Sequence, residues 1–272
     1  MHHQKLNNDT LLFVGEAYES AATAFINGNE VFLVDALASL EDARWMQHVI
    51  EDQGLEVTFI ATTHYMSDHM AGIGLFPRAT TIAHENYRHT FLSQNVRVDG
   101  FYTEPHVTFK DRLEFRWGRH LIRLLHNPGK TMDHITVDAP ASDIVCAGDN
   151  IVGNIVYLSK ADPCQIDAAI EKVQQLNRKW VISAHMGLFP ASTLGNARYY
   201  LAKLRDRVVA IRRQSSDGEV ANQTLQVRIE DCLPVDVTPT AFEREWHQNN
   251  LRLIRDQGVF DLDAFDSLPA CG

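Results

Sequence analysis

Six side chains that are able to bind a metal ion follow short apolar segments along the chain. They are His64, Asp68, His69, His126, Asp149 and His185. Imidazole nitrogens and carboxylate oxygens suit Zn, Fe or Mn, whereas a soft site would need thiolates at these places. Asp149 has two carboxylate oxygens, so it could bridge two ions. The sequence therefore predicts a site for one or two metal ions.

The apolar segments in front of these residues are typical of strands. The segment 57–61 is apolar and partly β-branched, and it leads directly into His64. Comparable segments at 120–125, 143–147 and 180–183 precede the other candidate ligands. Because α/β folds hold their chemistry at the carboxyl ends of strands, we expect these residues to meet at one edge of the fold.

Turn and cap signals complete the outline of the chain. An Asn-Gly pair between two apolar runs predicts an early β-hairpin. The pair at 162–163, Asp-Pro, predicts the start of a helix, and the Thr-Pro pair at 238–239 predicts the start of the last one. From residue 195 the pattern is helical. We therefore predict a metal-binding domain over 1–194 and a helical extension over 195–272 that packs on it.

Composition limits the classes of partner. The chain of 272 residues has a net charge of −10, with 25 Lys and Arg against 35 Asp and Glu, which disfavours nucleic acid. No apolar run approaches the roughly 18–20 residues of a membrane span, and the first residues are polar. The four cysteines form no CxxC pair, which is typical of reduced thiols. We expect a cytoplasmic protein without membrane contact, with a small-molecule substrate, and a homodimer.

Four motifs in order resemble the metallo-β-lactamase superfamily, with its glyoxalase II and persulfide dioxygenase branches as the nearest comparison. That family has His-x-His-x-Asp-His, His-x-Pro-Gly-His-Thr, Gly-Asp and a late His. This chain has HYMSDH at 64–69, HNPGKT at 126–131, GD at 148–149, and His185. The resemblance covers roughly residues 10–190. It implies an α/β fold, an αββα sandwich of two mixed β-sheets with outer helices, here followed by the helical extension.

Two positions depart from the family's pattern. Met66 stands at the second histidine of the first motif, and Lys130 stands at a histidine of the third. By the resemblance, one ligand set is complete, namely Asp68, His69, Asp149 and His185. The other set keeps His64, His126 and Asp149 and lacks an imidazole. A thioether is a weak ligand for Zn or Fe(III), so we expect Met66 to pack rather than bind.

The resemblance implies a hydrolase that uses a metal-activated hydroxide on an ester, thioester or lactone-type bond. The metal would lower the pKa of bound water from about 15.7 towards 7. We expect Asp68 to bind metal and orient the hydroxide. Lys130 could hold a carboxylate or a developing oxyanion. Tyr157 follows the Gly-Asp motif, where related hydrolases contact substrate. These three residues are the predicted catalytic residues.

Two other functions remain open on the same scaffold. The set of His64, His126 and Asp149 would form a two-His, one-carboxylate triad, as in non-haem iron oxygenases. The protein would then be an iron oxygenase or diiron redox protein of the persulfide dioxygenase kind. Alternatively, a chain with Met66 could be a non-catalytic protein that binds a metal or ligand. The sequence leaves zinc or iron, and one ion or two, undecided.

Overall fold

Two mixed β-sheets face each other in the computed structural model, which describes residues 1–159, 162–215 and 217–260. The first sheet consists, in spatial order, of β1 (His2–Asn7), β2 (Thr10–Val14), β3 (Ala21–Asn27), β4 (Glu30–Val34), β5 (Glu56–Ala61), β6 (Thr80–His84) and β7 (Val107–Phe109). The second consists, in spatial order, of β8 (Arg112–Trp117), β9 (His120–His126), β10 (Ile135–Ala139), β11 (Ile144–Gly148), β12 (Trp180–Ser183) and β13 (Gly187–Pro190). Both sheets combine parallel and antiparallel neighbours.

Helices cover the outer faces of both sheets. They are α1 (Leu40–Asp52), α2 (Tyr87–Ser93), α3 (Pro163–Gln175), α4 (Ser192–Gln214), α5 (Asp217–Thr224) and α6 (Ala241–Gln257). Apolar side chains of α1 and α2 pack on the first sheet, and those of α3, α4 and α6 pack on the second. The predicted αββα sandwich of two mixed sheets is therefore confirmed.

A core of apolar side chains fills the space between the sheets. Phe32 and Val34 of the first sheet belong to the same buried cluster as Ile122, Leu124 and Val137 of the second. Along β9, buried and half-buried side chains alternate, because successive residues of a strand point to opposite faces. This packed interior gives the strand ends a rigid base.

Parallel strand pairs bring candidate ligands to one edge. In the first sheet, β4 pairs with β5 through Val34 and Ala61, so the segments that lead to Asp35 and His64 leave the sheet side by side. In the second sheet, β11 and β12 are also parallel, and Asp149 follows β11 directly.

A backbone connection joins the two sheets at the same edge. The N–H of Ala21, at the start of β3, donates to the carbonyl of Ala184, just after β12, at 2.7 Å. The N–H of Met186 donates to the carbonyl of Glu19 at 2.8 Å. These bonds fix His185, which lies between the two second-sheet residues, against the first sheet.

Local capping signals explain where two helices begin. α3 starts as predicted, with Asp162 as its N-cap and Pro163 as its first residue. The start predicted for the last helix at 238–239 is wrong, since α6 begins two residues later. Thr240 and Glu243 form a capping box there, and it satisfies the first backbone donors of the helix.

The C-terminal helices share one apolar cluster with the second sheet. Leu204 of α4 and Ile254 of α6 are buried in the same cluster as Val181 of β12. The predicted boundary after residue 194 lies inside α4, and residues 261–272 of the predicted extension lie outside the described residues. The division into two domains stays a prediction.

Two further observations bear on the expected surroundings of the protein. Within the described ranges, no helix is long and apolar enough to cross a membrane. Cys146 and Cys232 are buried free thiols, which agrees with the expectation of reduced thiols at these two positions.

Candidate metal centre

Four predicted ligands converge where the strand ends meet. One ligand atom from each of Asp68, His69, Asp149 and His185 lies within 4.8 Å of the others. Oδ1 of Asp149 is 3.3 Å from Nε2 of His185 and 3.6 Å from Nε2 of His69. Oδ2 of Asp68 is 3.6 Å from Nε2 of His69 and 3.7 Å from Nε2 of His185. Two imidazoles and two carboxylates that face one point suit a divalent transition-metal ion.

The loop after β5 is held by Asp35, which directly follows the neighbouring strand β4. Thr63 donates to Asp35 twice, from its backbone N–H at 2.7 Å and from its hydroxyl at 2.8 Å. A short 3-10 turn over Ser67–His69 then brings two ligands to the centre. Nδ1 of His69 is 3.6 Å from Oδ2 of Asp35, too far for a hydrogen bond, so the same carboxylate attracts the ligand ring by charge alone.

Backbone groups orient the two ligands of the second sheet. Nδ1 of His185 donates to the carbonyl of Tyr18 at 2.7 Å, which leaves Nε2 free to bind a cation. Asp149 follows Gly148, which has φ +58°, and a Cβ there would collide with the ring of His134. That ring accepts the N–H of Asp149 at 3.1 Å. The close approach of this ring explains why glycine precedes the aspartate.

Several polar atoms of the centre are buried without a hydrogen-bond partner among the described residues. They include Nε2 of His64, both ring nitrogens of His69, and Oδ1 of Asp149. Buried polar groups are normally paired, because leaving one unpaired costs about 1–3 kcal/mol. A cation bound by Nε2 of His69 and Oδ1 of Asp149 would remove this cost for these two atoms. The donor set and its unpaired atoms therefore fit a metal ion.

Charges across the centre shift the pKa values of its members. Burial alone would raise the pKa of Asp149, but His185, His69 and His64 hold it well below its usual value. Burial alone would lower the pKa of His69, but Asp68 and Asp149 raise it well above its usual value. The carboxylates therefore favour a protonated His69 imidazole. A metal ion would replace that proton with a larger charge.

The second oxygen of Asp149 faces a different set of groups. Its Oδ2 is 3.5 Å from Nε2 of His64 and 3.6 Å from Nζ of Lys130. Lys130 is buried, and its ammonium lies 4.1 Å from the ring centroid of Tyr157. The Tyr157 ring packs on Trp246 of α6, with centroids 4.4 Å apart. Lys130 and Tyr157 thus lie together beside Asp149.

Of the six predicted ligands, four form the group above and His64 lies next to Asp149, but His126 is held elsewhere. Its ring stacks on His84, with centroids 3.8 Å apart, and its Nε2 donates to the carbonyl of Met132 at 2.9 Å. The turn after β9 brings Lys130, four residues later, to face Asp149 instead. This arrangement does not support a triad of His64, His126 and Asp149.

A cavity of about 480 Å³ opens onto the centre. Asp68, Asp149, His185, Lys130 and Tyr157 line its inner end. Its apolar lining comes from Met66, Val96, Val98, Met132, Val152 and Trp246. The cavity is large enough for a small-molecule substrate with an apolar part. Met66 therefore contributes to the wall, as its expected packing role requires.

Three further residues position the site, and the sequence motifs do not include them. Asp35 holds the ligand loop, and an aspartate directly after an apolar strand was the available signal. Asn150 accepts the backbone N–H of Lys130 at 2.9 Å and donates to the carbonyl of Asn127 at 3.1 Å, and its signal was its place beside the Gly-Asp motif. Trp246 reaches the cavity from α6, and nothing in the local sequence indicated it.

A curated protein and several solved structures are similar to this chain over most of its length. A curated relative, the "Atrochrysone carboxyl ACP thioesterase" of Aspergillus chevalieri, is 22% identical over 256 residues, which are 87% of this chain and 76% of that protein. A metallo-beta-lactamase structure from Pontibacter korlensis has a TM-score of 0.63 at 19% identity, over 74% of this chain and 98% of that one. The sec-alkylsulfatase Pisa1 from Pseudomonas sp. has a TM-score of 0.68 at 13% identity, over 98% of this chain and 52% of that one.

The family match covers the part of the chain that holds the metal centre. The model of the metallo-beta-lactamase superfamily matches residues 16–185, more than half of the chain. The match ends at His185 and includes the other three members of the four-ligand group. The solved structures share the two-sheet architecture. The chain belongs to the metallo-β-lactamase superfamily.

Proposed function

We propose that this chain is a metal-dependent hydrolase that cleaves an ester, thioester or lactone-type bond beside an apolar acyl group. The four-ligand group carries the proposal, because it has buried polar atoms without a partner among the described residues, and three of its members, Asp68, Asp149 and His185, line a cavity with apolar walls. Membership of a superfamily that includes a thioesterase and an alkylsulfatase supports hydrolysis in general. The thioesterase relative favours a thioester among the three bonds.

We assign a separate role in hydrolysis to each residue of the centre. A divalent ion bound there supplies Lewis acidity and lowers the pKa of a water ligand towards 7. Asp68 is half-buried and lines the cavity, so one of its oxygens can hold the attacking water by a hydrogen bond. His69 and His185 keep their orientation through Asp35 and the Tyr18 carbonyl, so the water is held in a fixed position.

Lys130 and Tyr157 line the cavity beside the proposed metal site, where they would face the substrate oxygen that gains charge. The Lys130 ammonium lies within the cavity wall and can donate to a developing oxyanion. Burial, followed by the charges of Asp149 and Asp68, raises the pKa of Tyr157. Its hydroxyl therefore stays protonated at neutral pH and is available as a second donor.

The apolar wall determines the preferred acyl group. Met66, Met132 and Trp246 surround the space next to the metal ligands. Each methylene that the substrate buries there contributes about 0.8 kcal/mol, or roughly fourfold in kcat/KM. We expect kcat/KM to rise along a series of acyl thioesters from acetyl to octanoyl, until the cavity is full.

The test compares hydrolysis by metal-free protein and by protein reloaded with Zn²⁺, Mn²⁺ or Fe²⁺. Thioesters, aryl esters and lactones are supplied in parallel, and thiol or acid release is measured. We expect metal-loaded wild type to be active and the Asp149→Asn variant to lose at least about a thousandfold in kcat/KM. Asp143→Asn is the matched control, because this exposed carboxylate six residues earlier lies outside the cavity wall.

Three outcomes would overturn the proposal. Hydrolysis at the full rate by metal-free protein would remove the role of the metal. Full activity of Asp149→Asn would remove the role of the four-ligand group. A protein that binds metal but cleaves none of the three bond types would support the non-catalytic hypothesis instead.

A further inference from the structure

The carboxylate of Asp149 has two sides with different chemistry. Oδ1 faces Nε2 of His185 and of His69, the imidazoles of the four-ligand group. Oδ2 faces Nε2 of His64 at 3.5 Å and Nζ of Lys130 at 3.6 Å. One side therefore has a complete donor set for a metal ion, whereas the other already has an ammonium group.

The Lys130 side chain is buried, and specific contacts hold it in this position. Its side chain is 3% exposed, and its ammonium lies over the ring of Tyr157 at 4.1 Å. Its backbone N–H donates to Oδ1 of Asn150 at 2.9 Å, which fixes the turn that carries it. If the Lys130 side chain adopted a rotamer that points away from Asp149, Oδ2 of Asp149 would lose its neighbouring cation.

A second ion on the Oδ2 side would lack both space and ligands. It would lie next to the Lys130 ammonium, and two like charges at such short range repel strongly. His64 is the imidazole near Oδ2, whereas Met66 and Lys130 stand at the places where the superfamily pattern has histidines. A stable zinc site normally needs at least three protein ligands.

We infer that the chain binds one metal ion, held by the four-ligand group, and that the Lys130 ammonium replaces a second ion on the other oxygen of Asp149. This inference rests on the metal centre of the proposed function. Lys130 also lines the cavity, so its ammonium can be shared between Asp149 and an oxygen of the substrate. The centre then combines one exchangeable cation with one cation fixed in the chain.

The test counts metal ions. Metal-free protein is titrated with Zn²⁺, weakly held ions are removed by gel filtration, and zinc per chain is measured by elemental analysis. We expect one equivalent for wild type and two for the double variant Met66→His with Lys130→His, which supplies imidazoles in place of the thioether and the ammonium. Lys172→His, on the exposed face of α3, is the matched control and stays at one.

A second variant keeps the inference testable where the double variant does not fold. His64→Ala should still bind one equivalent of zinc, because His64 faces Lys130's side of Asp149 and is outside the four-ligand group. Two equivalents in wild type, falling to one in His64→Ala, would overturn the inference and leave the proposed hydrolase standing. No tightly bound Zn²⁺, Mn²⁺ or Fe²⁺ in wild type would instead remove the metal centre and the proposed function with it.

Discussion

Two buried polar clusters of this protein differ in how many of their polar atoms have a hydrogen-bond partner. Beneath α4 and α6, the Tyr200 hydroxyl donates to Nδ1 of His247 at 2.9 Å, and Nε2 of His247 donates to the carbonyl of Val227 at 2.9 Å. Asn250 donates to the carbonyl of Val156 at 2.7 Å and accepts the N–H of Leu158 at 2.8 Å. We call this group the helical cluster.

The metal centre is buried to a similar degree, yet several of its polar atoms are unpaired within the described part of the chain. Both clusters contain histidine, so residue type and burial do not separate them. The difference is saturation: a cluster whose donors and acceptors are all paired stabilises the fold, whereas unpaired atoms that point to one place retain the capacity to bind. The two clusters should therefore respond differently to metal and to mutation.

Removing the metal should produce the largest difference between the clusters. A chelator should abolish hydrolysis, and zinc at 1,000 times its Kd should add about 4 kcal/mol to the free energy of unfolding, because it binds the folded state. Urea denaturation with and without zinc measures the second effect. An unfolding free energy that does not respond to zinc would show that the unpaired atoms do not bind it.

Breaking the helical cluster should reduce stability without changing metal affinity. Asn250→Leu leaves the Leu158 N–H and the Val156 carbonyl unpaired in the core, at a cost of about 3 kcal/mol in the free energy of unfolding. Gln248→Leu, on the exposed face of the same helix, is the control and should change it by less than about 0.5 kcal/mol. A weaker zinc affinity in Asn250→Leu would mean that the clusters are not independent.

Trp246 and His247 are neighbours on α6 but serve different clusters. Trp246 lines the cavity, so Trp246→Ala should raise KM for apolar thioesters by about tenfold, or about 1.4 kcal/mol of lost apolar contact. Trp45→Ala is the control, since Trp45 packs on Phe13 away from the cavity. Equal KM values for the Trp246 variant and wild type would place the acyl group elsewhere.

Lowering the pH should reduce the free energy of unfolding through His247 of the helical cluster. This is the smallest of the expected effects. Burial lowers the pKa of His247, so below about 6.5 the unfolded chain binds a proton that the folded chain does not. Stability should fall as the pH decreases through this range, by at most about 1.4 kcal/mol per pH unit for one proton. The difference in slope between wild type and His247→Gln, measured by urea denaturation of metal-free protein, isolates this contribution, and identical slopes would contradict it.

Five of the six predicted residues could be placed at this edge because each follows a strand that its own apolar pattern reveals. Asp68, His69, Asp149 and His185 form the four-ligand group, and His64 lies beside it, next to Oδ2 of Asp149. The side chain that the turn after β9 directs to the centre could not be predicted, because the sequence does not show whether it is His126 or Lys130. The hydrogen bond from His126 to the carbonyl of Met132 decides this, and it depends on the folded turn.

Contacts between distant segments account for most of what the sequence could not reveal. Asp35 reaches the ligand loop because β4 and β5 are neighbours, and Trp246 reaches the cavity because α6 packs beside Tyr157. The start of α6 was misplaced because a Thr-Pro pair outweighed the capping box of Thr240 and Glu243. Glu243 also accepts the N–H of Asn154 at 2.6 Å, which ties α6 to the loop after β11.

Anomalous diffraction at the zinc absorption edge, from crystals grown with Zn²⁺, tests the central claim most directly. We expect one strong anomalous peak per chain, bound by Asp68, His69, Asp149 and His185, with Lys130 on the other oxygen of Asp149. A second peak on the Lys130 side would contradict the single-ion centre. A peak bound by His64 and His126, or none at the four-ligand group, would contradict the metal centre itself.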